Sequence, residues 1–190
     1  MKILGYRSKT PWKMGLATFV YGFILLIIVI AIIDPSSDSP QTNSDKVVQV
    51  RPTDMSIKDY STYLIKDTIG EQSNTKKPSL QEIVPTENNT LVLDLNASEN
   101  FTKSTTRQSM LIKAPKIFGK AFADRPELTS ITISWYLDLV DVRGNEKVGK
   151  VMTITFTREN ADTVNWENID PENIPLVADA YWQHSLFTRE

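Results

Sequence analysis

The chain has 190 residues, 21 Lys and Arg against 23 Asp and Glu, and a net charge of −2, without the basic excess of a nucleic-acid binder. It contains one His and no Cys, so a zinc site of the usual His/Cys kind is not expected and no disulfide can brace the fold. Seven Gly in all leave little room for a Gly-rich phosphate loop, and no cofactor or metal is expected.

Residues 1–14 are a basic tail in which Lys2, Arg7, Lys9 and Lys13 stand without an acid. Gly15 to Ile33, GLATFVYGFILLIIVIAII, follows as nineteen residues without a charge. At about 1.5 Å per helical residue the run reaches roughly 28 Å, close to the hydrocarbon thickness of a bilayer, and predicts a transmembrane helix. A cleaved signal peptide is the competing reading. Signal h-regions are usually about 7–15 residues, and no small-x-small site follows in AIIDPSSDSP, so an uncleaved signal anchor is preferred. Trp12 lies at the depth indoles favour, and the positive-inside rule keeps the tail in the cytoplasm and exports the rest. The expected location is therefore the cell membrane, single-pass, with an extracytoplasmic C-terminal domain. The 157 residues beyond the span carry 17 bases and all 23 acids, a net charge of −6. An exported chain without cysteine favours a bacterial envelope. The sequons at Asn88, Asn96 and Asn100 are discounted as chance matches in a segment rich in Asn, Ser and Thr.

Residues 34–53 are rich in Ser, Asp, Pro and Asn and read as a flexible linker, although the VVQV stretch within them has strand character. Residues 54–190 then form one α+β domain. A helix starts at Ser56 with an approximate capping box to Asp59, buries Ile57, Tyr60, Leu64 and Ile69, and ends at Gly70. Leu80 to Val84 is a short strand stopped by Pro85. From Thr90 the period becomes two, with Leu91, Leu93 and Leu95 inward. Residues 102–123 return to helical spacing through Met110, Ala114, Ile117, Phe118, Ala121 and Phe122. Pro115 implies either a kink or a second helix beginning there. The long hairpin 129–157 comes next: Ile131, Ile133, Trp135, Leu137 and Leu139 alternate with polar residues, Arg143-Gly144-Asn145-Glu146 turns, and Val148, Met152, Ile154 and Phe156 resume the alternation. Its Thr- and Ser-rich side suits an exposed sheet face or a shallow binding surface equally. A final helix is predicted with Asp170 as cap and Ile174, Val177, Ala178, Tyr181 and Trp182 as its stripe. The expected fold is an antiparallel curved sheet packed against these helices.

His184 is an unpromising general base so near the chain end. Asp138, Asp141, Asn145 and Glu146 gather oxygen near the hairpin turn, but Arg143 and the spacing argue for a solvated turn over a calcium loop. Glu159, Asp162, Glu167 and Asp170 read as caps and turns. Trp135, Trp166, Tyr181 and Trp182 are the candidate interface residues, since exposed aromatics supply contact area; buried, they would simply be core.

The basic tail, the Gly15 to Ile33 span, the tether and the helix from Ser56 before a hairpin-rich sheet together resemble the bitopic inner-membrane assembly subunits of type IV secretion and conjugative transfer systems, whose extracytoplasmic domain is nuclear-transport-factor-2-like. The resemblance implies a non-enzymatic protein that bridges channel components, with membrane and envelope proteins as partners, self-association among them, and no nucleic acid. An envelope ligand-binding or sensing module and an immunity or exclusion protein of a mobile element are the alternatives; a hydrolase is least supported.

Overall fold

The computed structural model describes residues 51–84 and 88–188. The tail, the Gly15 to Ile33 span and all but the last three residues of the linker lie outside the described residues. None of the described helices is long and apolar enough to cross a membrane.

A short 3-10 turn, Pro52–Asp54, leads into helix α1, Ile57–Ile69. The segment that enters the helix is tied down from a distance: Arg125 donates through Nη1 to Pro52 O at 3.1 Å and Met55 O at 3.0 Å. Ser56 caps α1 by accepting from the Asp59 amide at 3.1 Å, and Gly70 ends it at φ +89°, a conformation that favours glycine. The buried side is Tyr60, Ser61, Leu64 and Ile65, so the stripe is rotated by about one residue from the predicted one and Ile57 is left exposed.

Strands β1 (Leu80–Val84) and β2 (Thr90–Asn96) pair antiparallel, and helix α2 (Lys103–Asp124) then carries the chain to β3 (Ser130–Val140). Thr102 and Thr105 close a reciprocal capping box at the start of α2. Pro115 lies inside this helix without dividing it. Pro115 is buried, as are Leu111, Ala114 and Phe118 of the same helix, so core burial of this stretch offsets the roughly 3 kcal/mol that an interior proline costs. Because α2 is a crossover, β3 returns in the direction of β2 and the two pair in parallel, Leu91 beside Ile131 and Leu95 beside Trp135. The sheet is therefore mixed, and the expectation of an all-antiparallel sheet is corrected at this pair.

Strand β4 (Glu146–Thr157) pairs with β3 as the predicted hairpin, and a one-turn helix α3, Arg158–Ala161, follows. The last expected element differs. In place of a terminal helix, a 3-10 turn at Pro171–Asn173 runs into a one-turn helix α4, Ile174–Val177, and the chain then extends as β5, Ala180–Gln183, the sheet's far edge. The helix stops because Ala178 is extended and the Asp179 amide bonds Thr155 O at 3.0 Å, docking the segment on β4. The strand order is β1-β2-β3-β4-β5.

The helices pack on one face of the sheet. Leu91, Leu93, Leu95, Ile131, Ile133, Trp135, Met152, Ile154 and Phe156 meet Leu111, Ala114, Ile117, Phe118 and Ala121 of α2 in a continuous core. A register shift opposite Trp135 and Tyr136 inserts Val151 as an extra residue. Below it Met152, Ile154 and Phe156 point inward; beyond it Val148, of the same parity, is 45% exposed. The expectation that Val148 continues the inward series fails at this bulge, which reverses the facing of residues 146–150 relative to Met152, Ile154 and Phe156.

Candidate interaction surface

The opposite face of the sheet carries no described helix. Its side chains fall in rows set by the strand register. One row is Val84, Val92, Thr132, Thr155 and Ala180; the next is Glu82, Asp94, Ser134, Thr153 and Trp182. Hydroxyls bond across the strands, Thr132 Oγ1 to Thr155 Oγ1 at 2.9 Å and Ser134 Oγ to Thr153 Oγ1 at 3.4 Å. β-branched threonines fill a pleated surface without leaving it, so the middle of the face is low and even.

Two aromatics rise from its margins. Trp182 stands at the β5 edge with 48% of its surface exposed, in edge-to-face contact with His184 at 6.3 Å between centroids. Tyr136 lies half-buried toward the hairpin, with Lys150 Nζ 5.9 Å from its ring centroid. Burial, and next to it a hydrogen bond donated to the Asp94 carboxylate, push the Tyr136 phenol up to about 12. This phenol is a neutral donor at any physiological pH.

The four predicted interface aromatics are not brought together. Trp135 is fully buried between β2 and β4, and its indole Nε1 is a buried donor without a partner among the described residues. Trp166 packs against Phe118 and Phe156 at 5.9 and 5.0 Å and donates from Nε1 to Ala161 O at 3.1 Å. Tyr181 and Trp182, neighbours on a strand and not on a helix, face opposite sides. Tyr181 turns to the helical side, where its hydroxyl meets Gln183 Oε1 at 2.6 Å. Arg107 of α2 reaches the same Gln183 oxygen at 2.9 Å and Glu172 at 2.7 Å, stapling the C-terminal segment to the helix. Only Trp182 keeps the role of an exposed aromatic.

The acidic residues near the turn are used locally. Asp141 accepts from the Arg143 and Asn145 amides at 2.8 and 2.9 Å and from Asn145 Nδ2, and these bonds hold its carboxyl below the ordinary carboxylate range. Asp138 is engaged by Lys77 Nζ, with both carboxylate oxygens at 2.6 Å. Among the described residues no group of three or more His, Asp or Glu is placed to hold a metal ion. His184 opens the last 3-10 turn, its Nδ1 accepting from the Leu186 amide at 3.1 Å. Asp170 caps the Pro171–Asn173 turn as the sequence suggests, bonding the Glu172 amide at 3.0 Å.

No protein-family model, no curated protein and no solved structure matches this chain. Its chemistry is therefore read from its own surface. The face offers β-branched side chains, neutral hydroxyl donors and acceptors, carboxylates at Glu82 and Asp94 and one exposed indole. Such a mixture of apolar area and satisfied polar groups suits a broad protein contact. The Thr/Ser alternation of β3 and β4 is the signal that marks this face in the sequence. The fifth row-end, Trp182, was hidden because its spacing from Ile174 and Ala178 also fits a helix.

Proposed function

We propose that the chain is a single-span membrane protein whose extracytoplasmic α+β domain binds other proteins through the uncovered face of its sheet. The observation that carries this reading is the one-sidedness of the sheet: α1 and α2 fill one face with the core, and the other presents Val92, Thr132, Thr153, Thr155, Tyr136 and Trp182. The exposed large aromatic at a margin is the kind of side chain that anchors an interface. The anchor itself rests on the uncharged run from Gly15 to Ile33 and its basic flank.

Within that class, the order of parts supports an assembly subunit of a type IV secretion or conjugative transfer channel. A short cytoplasmic tail, one span, a tether and a single binding domain suit a protein that bridges components across a membrane. The deciding experiment is photocrosslinking of the full-length protein in its native membrane, with a photoreactive amino acid at Trp182 on the sheet face and, separately, at Ile112 on the helical side. Recovery of a secretion ATPase, coupling protein or channel subunit from the Trp182 position, and not from Ile112, is the expected result. The same partners from both positions, or none from Trp182, would overturn the assignment to this face.

A further inference from the structure

The hairpin outruns the sheet. The last partner of β2 on β3 is Asn96 beside Tyr136, and the last partner of β5 on β4 is Gln183 beside Met152. Residues 137–149 thus form a two-stranded arm with neither neighbour beside it. The arm carries unusual exposed apolar surface for so short a ribbon: Val140 is 64%, Val142 105% and Val148 45% exposed. Its β3 side is engaged by Lys77 at Asp138. A groove of about 640 Å³ lies against the arm, lined from both strands by Leu139, Val140, Glu146, Lys147, Gly149 and Lys150 and reaching His184, while the β4 edge itself has no strand beside it.

The direction of the backbone groups on that free side follows from the antiparallel rule that hydrogen-bonded pairs alternate with pairs whose amides point outward. Asp141 N donates to Asn145 O at 3.0 Å, which fixes the phase at the turn. Leu139 with Lys147 and Leu137 with Gly149 are then the bonded pairs. Tyr136 O, in an outward pair, accepts from Ala97 N at 2.9 Å and confirms the phase. Glu146, Val148 and Lys150 therefore turn their N–H and C=O groups away from β3, to the open edge of the arm.

We infer that this edge pairs with the same edge of a second copy of the chain, antiparallel about a two-fold axis at Val148. In that register Val148 meets Val148 of the second copy, and Glu146 meets Lys150 twice, once on each side of the axis. All three outward positions fall opposite outward positions, so each becomes a hydrogen-bonded pair. The other registers along this β4 edge fail. An axis at Glu146 sets two carboxylates together and one at Lys150 two ammonium groups, whereas an axis at Lys147 or Gly149 falls on residues whose amides already bond β3. An axis at Asp138 on the β3 edge would oppose two aspartates. Edge strands left open in this way template pairing with another chain, and here the charge pattern selects the partner as self. The inference stands on the arm alone and holds whatever the sheet face binds.

The chain lacks cysteine, so an introduced thiol is its sole one. In the full-length protein in its native membrane, Val148→Cys is expected to form a disulfide dimer under a copper–phenanthroline oxidant at least tenfold faster than Leu176→Cys, a control 80% exposed on α4. In the cysteine-free protein, purified in detergent with native far-ultraviolet circular dichroism, Glu146→Lys or Lys150→Glu should weaken the dimer at least tenfold by analytical ultracentrifugation. The exchange of both charges together should restore it. Equal crosslinking at Val148 and Leu176, or a mass that no single reversal changes, would overturn the inference, including the case of a dimer held only elsewhere in the chain.

Discussion

Gly119 of α2 lies against Trp166 so closely that a methyl group added to the glycine would sit 2.8 Å from the Trp166 Cβ and 3.0 Å from its Cγ. The indole in turn stacks on Phe118, one residue along the helix. Trp166 can therefore close the end of the core only because position 119 has no side chain. Gly119→Ala gains helix propensity but forces the indole off Phe118 and Phe156. The net expectation is a loss of about 1–2 kcal/mol, seen as a lower urea midpoint by tryptophan fluorescence. An unchanged midpoint would mean that the loop carrying Trp166 yields freely.

The two faces of the sheet give a contrast between tryptophans. Trp135→Ala removes a fully buried indole and should cost about 3–5 kcal/mol. Trp182→Ala should change stability by less than about 0.5 kcal/mol and yet abolish partner crosslinking from a photoreactive amino acid placed at Thr155 on the same face. Thermal unfolding of both variants, set beside the crosslinking yield, separates packing from binding.

Arg158 gathers three carbonyls at one corner: Leu128 O at 3.2 Å from Nε, Phe122 O at 3.0 Å from Nη1 and Arg125 O at 2.9 Å from Nη2. Its guanidinium also lies over the Phe122 ring, 4.6 Å from the centroid. Arg158→Met keeps the stem and strands the carbonyls, for a loss of roughly 2–3 kcal/mol. Arg158→Lys should recover little of it, because one ammonium cannot reproduce the planar fork. Chemical denaturation of the two variants is the check.

Asp179 links β5 to β4 by accepting from Thr157 N at 2.7 Å, Thr157 Oγ1 at 3.1 Å and Asn160 Nδ2 at 3.2 Å. Burial works to raise its carboxyl pKa, and the donated hydrogen bonds outweigh it, so the group titrates below its ordinary value. A carboxyl depressed on folding adds stability above the unfolded pKa of about 3.9, and that contribution is lost as the pH falls through the folded value. Asp179→Asn should lower the urea midpoint at pH 7 and have no effect at a pH well below the carboxylate range. A difference that persists undiminished in acid would refute the ionic part of this account.

Replacing Lys2, Arg7, Lys9 and Lys13 together by Gln should loosen or invert the membrane orientation, since each charge near an anionic surface is worth about 1 kcal/mol. Protease accessibility of the C-terminal domain in spheroplasts reads the result. Normal orientation in the quadruple variant would count against a topology set by this tail.

Much of the fold is written locally. Ser56 caps a helix where a hydroxyl followed by apolar spacing predicts it, and the β3–β4 hairpin is legible because alternation on both sides of Arg143-Gly144-Asn145 admits one pairing. The parallel β2–β3 pair is not legible in the same way: Leu91, Leu93 and Leu95 alternate identically whichever direction their neighbour runs, and only the return path through α2 decides it. Tyr181 and Trp182 mislead because an apolar residue every three or four positions from Ile174 satisfies a helix, whereas the docking of Asp179 on Thr155 and Thr157, distant in sequence, makes the segment a strand. The polar sheet face is legible from Thr132, Ser134, Thr153 and Thr155; that nothing described packs over it depends on where both long helices come to rest.

The single extra residue at Val151 has a consequence for how this sequence can vary. Because the bulge reverses facing, even-numbered positions of β4 are interior in one half of the strand and outward in the other, so the two halves answer to opposite rules of substitution. Pairing Val151 with Tyr136 instead of bulging it out would leave the body's core in register and turn the arm over like a page, sending Glu146, Val148 and Lys150 to the side now occupied by Leu137 and Leu139. The body and the arm are thus free to diverge in composition while remaining one continuous strand, with Val151 as the seam between them.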